Sequence, residues 1–216
     1  MASKRAKEAM EHPEEAYWHA RKIIEGRWYQ AELNIMRDPE YAYKYAKDVI
    51  KGRWSEVEPV IMKDPEWAFR YVEYVINPWL NGAVSRWPEA EPFIMKSPAW
   101  AYYYARYVIK GRWPTAEPCI MKDPEWAYAY ARNAIKGRWS EAEPYIMKDP
   151  RWAYYYALYV IKDRWPEAEP IIMVDSNHAS CYAIDVIKGR WPEAEPYIMK
   201  DEHHRRYYME RYITTR

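Results

Sequence analysis

The sequence predicts an all-α protein, an α-solenoid of eight 26-residue two-helix repeats with capping ends. Three observations predict it: a self-similar block at a fixed step, helix start and stop residues at constant places in the block, and apolar residues at helical spacing.

The step comes first. A proline or its replacement recurs at Pro13, Pro39, Pro65, Pro98, Pro124, Pro150, Ser176 and Glu202, and an Arg-Trp pair ends at Trp28, Trp54, Trp87, Trp113, Trp139, Trp165 and Trp191. Every step is 26 residues except Pro65 to Pro98, which is 33. Repeats therefore start near positions 12, 38, 64, 97, 123, 149, 175 and 201, with a seven-residue insertion, 77–83, inside repeat three. One solenoid domain over 1–216 is expected.

Repeat five, DPEWAYAYARNAIKGRWSEAEPYIMK, shows why each element forms. Asp123 caps a helix, Pro124 fits its first turn, where a missing N–H is harmless, and Glu125 suits its positive end. Gly137 is expected to end this helix in the left-handed conformation. Ser140, a proline in repeats three, four, six and seven, begins a second helix, which Pro144 keeps short. Roughly twelve residues are expected in the first helix and about eight in the second. Counting Asp123 as position 1, positions 5, 8, 9, 12 and 13 (Ala127, Tyr130, Ala131, Ala134 and Ile135) form the buried face. Positions 7, 10, 11 and 14, such as Lys44, Lys47, Asp48 and Lys51, read as a solvent face. Position 6 falls at the edge of the buried face. One repeat buries too little apolar surface to stand alone, so neighbours must stack. The ends depart as caps do: residues 1–12 read as a charged partial helix, and DEHHRRYYMERYITTR is polar and stops after one helix.

Composition fits thin layers. Tyr (23) and Trp (13) are abundant and Phe (2) is scarce, so most large rings carry a polar tip needing a partner or water. Lys plus Arg (33) balances Asp plus Glu (32), which excludes a strong overall field for a polyanion. Neither a basic-then-apolar leader nor a membrane-length apolar run is present, so a soluble, cytoplasmic protein without membrane association is expected. Cys119 and Cys181 occupy different repeat positions and form no pairing pattern.

The wording of the unit, AYYYARYVIKGRWPTAEPCIMK at 101–122 and WAYYYALYVIKDRWPEAEPIIMV at 152–174, resembles short helical repeat proteins of tailed bacteriophages and some large DNA viruses. The resemblance covers nearly the whole chain. It implies a virus-encoded protein in the host cell cytoplasm and a role in countering host defence. It transfers no catalytic or binding residue.

Candidate binding residues come from three features. The arginines before the repeated Trp, including Arg86, Arg112, Arg138 and Arg164, could form a phosphate ladder or pair with Glu at position 19 or 21. The position 6 rings, including Tyr102, Tyr128 and Tyr154, could stack bases or serve as protein hot spots. The insertion offers Trp79, Leu80 and Asn81 among turn formers, as a recognition loop or as a tolerated insertion. In repeat seven, His178 and Cys181 lie one turn apart, but two ligands do not make a metal site. Glu56, Glu89, Glu141, Glu167 and Glu193 are copies of one another, and none is singled out as a catalytic acid. The residues point to a binding protein rather than an enzyme, without cofactor or metal. The expected partner is a host or viral protein; the alternatives are a nucleic acid or nucleotide, and a structural virion component or homo-oligomer.

Overall fold

The computed structural model describes residues 4–77 and 85–213. Sixteen α-helices and seven π-helical turns account for the regular structure of these residues, which contain no strand. The chain divides into two compact units, Met1–Lys110 and Gly111–Arg216. Each is a stack of the same layer, so the fold is all-α and built of α-solenoid repeats.

Four layers start the same way. Asp38, Asp64, Asp123 and Asp149 each accept, at one carboxylate oxygen, two backbone N–H groups of the following turn at 2.9–3.4 Å, and a proline follows each cap. The first helix runs seven residues as α, Pro124–Tyr130 in repeat five, and five more as a π turn, Ala131–Ile135. Together they make the expected twelve. The second helix is shorter than expected: Glu143–Ile146 has four residues, with its proline at the second. Only repeat one, with Tyr29 and Leu33 where others carry Ser or Pro and then Pro, extends it to seven, Tyr29–Ile35.

The helix stop differs from the expected one. The residue before the glycine position, which Asp163 fills in repeat six, adopts the left-handed conformation (Glu25, Lys51, Lys110, Lys136, Lys162 and Lys188, φ 56 to 63°), whereas the described glycines keep negative φ. A π turn binds i to i+5 rather than i+4, so the chain exits its last turn one residue earlier than glycine punctuation suggests. The following N–H then reaches back to the first π residue, as from Gly137 to Ala131 at 3.2 Å.

Ala127, Tyr130, Ala131, Trp139, Ala142 and Ile146 of repeat five are buried, as are their equivalents in the other repeats of both units, except that His19, Arg205 and Met209 stand at three of these places. Position 13 is less buried than a 3.6-residue period implies; position 12 is buried in repeats three and four, at Val75 and Val108, whereas in repeat five Ala134, like Ile135, is only half covered. Position 6 is more buried than implied. A first helix is flanked on two sides by its counterparts, as Pro150–Tyr156 is by Pro124–Tyr130 and Ser176–Tyr182, and also touches a second helix. Its buried arc is therefore wider than the single stripe of a surface helix. At the N-terminal edge, Lys4–Glu11 packs on both helices of repeat one, leaving Ile23 and Leu33 70% and 75% exposed.

Candidate functional site

Each repeat junction carries the same polar knot. The buried Tyr130 hydroxyl accepts the Trp113 backbone N–H at 2.5 Å and donates to Glu117 Oε1 at 3.0 Å, while Arg112 grips both Glu117 oxygens at 2.8 and 2.9 Å. The arrangement recurs in unit one with Tyr45, Tyr71 and Tyr104, and in unit two with Tyr156, Tyr182 and Tyr208. The candidate ladder arginines Arg86, Arg112, Arg138 and Arg164 are thus each committed through Nε and Nη2 to Glu91, Glu117, Glu143 and Glu169, at 2.6–2.9 Å. Charge cancels rung by rung, and no run of unpaired guanidinium remains for phosphates.

The candidate rings at position 6 are interior: Tyr102, Tyr128 and Tyr154 are only 3%, 7% and 6% exposed, beyond the core-edge placement read from helical spacing. Their hydroxyls are satisfied locally, Tyr102 and Tyr128 by Arg106 and Arg132 at 2.5 and 2.7 Å, and Tyr154 by Asp185 at 2.6 Å. The same logic at Tyr17, burial first and then its hydrogen bond to Asp48, pushes the phenol up to about 12. These rings support the layer; their faces are not offered to a ligand.

Trp79, Leu80 and Asn81 lie outside the described residues. The base of their insertion is clamped by Asn77, which is buried and whose amide donates to Val72 O and Ser85 O and accepts the Ser85 N–H at 2.7 Å. In repeat seven, His178 turns to its own cap Asp175 at 2.8 Å, and Cys181 to Asn177 at 3.7 Å. No group of three or more metal-ligating side chains occurs among the described residues, and no helix among them is long and apolar enough to cross a membrane.

The outward face of the first helices, read from the sequence as a charged solvent face, holds the most distinctive surface. In unit two, Tyr155 and Tyr159 stack at 6.1 Å, and the Arg132 guanidinium lies 4.2 Å from the Tyr159 ring. Trp152 stacks with Tyr128 at 5.6 Å, with Arg151 at 4.3 Å from its ring. Unit one repeats the theme: Tyr103 and Tyr107 stack at 6.2 Å, Arg106 lies 5.1 Å from Tyr107, and Lys47 lies 4.9 Å from Tyr74. Tyr74, Tyr107 and Tyr159 remain about two-fifths exposed. These arginines differ from the ladder: Arg106, Arg132 and Arg151 have no carboxylate partner among the described residues. The signal was in the sequence, in the paired tyrosines at positions 7 and 11 of repeats four and six. Averaging positions over all repeats hid it. No family model matches this chain, and neither a curated protein nor a solved structure matches it.

Proposed function

We propose that the chain is a non-enzymatic helical-repeat binding protein that engages a protein partner through the outward face of its first helices. The observation that carries this is the Tyr155–Tyr159–Arg132 cluster, with its counterpart Tyr103–Tyr107–Arg106. Tyr, Trp and Arg dominate binding energy at protein interfaces, and here they are braced by stacking, so little rotamer freedom is lost on docking. A nucleic-acid reading through the ladder arginines would require opening a bidentate pair at every rung. The non-enzymatic reading is supported by the acidic side chains, which recur once per layer and in the ladder are tied to arginine. The resemblance to phage and viral repeat proteins makes a host or viral protein in the host cytoplasm the candidate partner, with interference in host defence the corresponding role.

The test is affinity capture with the full chain, with Tyr155→Ala/Tyr159→Ala, and with Arg206→Gln as a surface control distant in sequence. A protein retained by wild type and control but lost from the tyrosine variant is expected. Equal recovery with all three baits would sink the assignment of this face.

A further inference from the structure

Resting on the reading of this face as the docking surface, we infer that the partner presents an acidic peptide segment, received in unit two by Arg132, Arg151 and the hydroxyls of Tyr155 and Tyr159. Three observations converge on negative charge. The first helix of repeat six, 150–161, reads PRWAYYYALYVI and holds no carboxylate, in a chain whose charges otherwise balance at 33 against 32. Its Arg151 stands where repeats one, two, three and five carry Glu. Arg132 and Arg151 are exposed and have no carboxylate partner among the described residues, although in the same unit Arg138 and Arg164 each hold one bidentately. A guanidinium resting on an aromatic ring keeps its edge N–H groups in the ring-parallel plane, positioned for a carboxylate.

Peptide is favoured over single-stranded nucleic acid by the state of the rings. Base stacking needs a bare aromatic face. Here Trp152 is engaged by Tyr128 and Arg151, Tyr159 by Tyr155 and Arg132, and Tyr155 by Tyr128 at 6.1 Å. The polar groups of the cluster are phenol and guanidinium, which are donors. No described hydrogen bond engages the Tyr155 or Tyr159 hydroxyl. Such a donor set matches side-chain carboxylates spaced along an extended chain.

The experiment uses the full-length protein and three labelled probes: a glutamate homopolymer peptide, a neutral Gly-Ser peptide of equal length, and oligothymidylate. Binding is followed by fluorescence anisotropy at two salt concentrations. The glutamate peptide is expected to bind, to weaken with salt, and to lose about tenfold in affinity in Arg132→Gln/Arg151→Gln, with Arg206→Gln unchanged. Thermal unfolding of the double variant alongside wild type checks that the layer is intact. No glutamate-peptide binding, binding indifferent to the double substitution, or tighter oligothymidylate binding through the same arginines would each overturn the inference. Should the tyrosine variant lose a captured protein that glutamate peptide fails to displace from wild type, the docking face would stand and its acidic specificity would fall.

Discussion

Tyrosine at position 8 is the residue on which each layer after the first turns. Its ring is buried against the repeated tryptophan, as Tyr130 is against Trp139 at 5.1 Å, and its hydroxyl accepts the Trp113 N–H at 2.5 Å. Removing that hydroxyl breaks two hydrogen bonds at once, one from a buried N–H and one to a mostly buried carboxylate. Tyr130→Phe is therefore expected to destabilise by about 1–3 kcal/mol, read as a lower midpoint in urea with an unchanged slope; no change in midpoint would show the knot to be incidental. The left-handed lysines make a second prediction. A non-glycine residue there is strained, while a Cβ on Gly137 would meet nothing within 4 Å. Lys136→Gly should stabilise by up to ~1 kcal/mol, and Gly137→Ala should be tolerated, as Asp163 at the same position already implies. If Gly137→Ala proved the damaging change, the stop would lie one residue later than described.

At the scale of the helix, much was legible. Asp-Pro placed the starts because capping and the missing proline N–H act locally. The Arg-Trp and Glu-Pro signals placed the junction, and Glu at position 21 was among the foreseen partners. Two things escaped. The π turn leaves no mark in a 3.6-residue pattern, which therefore overstates the burial of position 13, and of position 12 outside Val75 and Val108. Position 6 was assigned too little, because a helix with neighbours on two sides buries more than one stripe. The docking face escaped for a different reason: it lives in differences between repeats, in Tyr103, Tyr107, Tyr155 and Tyr159, which a consensus removes. Ala142, the residue before its second helix, and its equivalents are fully buried, so Ala142→Leu should overpack the layer and destabilise by about 1–3 kcal/mol. Calorimetric stability equal to wild type would mean that the layers have slack.

For the molecule as a whole, the seven knots act together at alkaline pH. Burial raises the position 8 phenols, Tyr45, Tyr71, Tyr104, Tyr130, Tyr156, Tyr182 and Tyr208, above the ordinary 10.0. A raised phenol favours the folded state fully below pH 10, and that contribution falls as pH climbs from there towards the folded-state value. These tyrosines should therefore ionise in a single cooperative step together with loss of helical circular dichroism, above pH 10. Gradual tyrosinate absorbance with helicity retained would show the hydroxyls to be accessible. If every joint has the same key and lock, excising residues 123–148 brings Arg112, Glu117 and the Trp113 N–H to Tyr156, a pairing already made at that register elsewhere. The chain is then free to change length by whole layers, through unequal exchange between its own coding repeats, without inventing an interface. Variation in length is open to such a protein from the start, and only the few residues that differ between layers must be guarded for recognition.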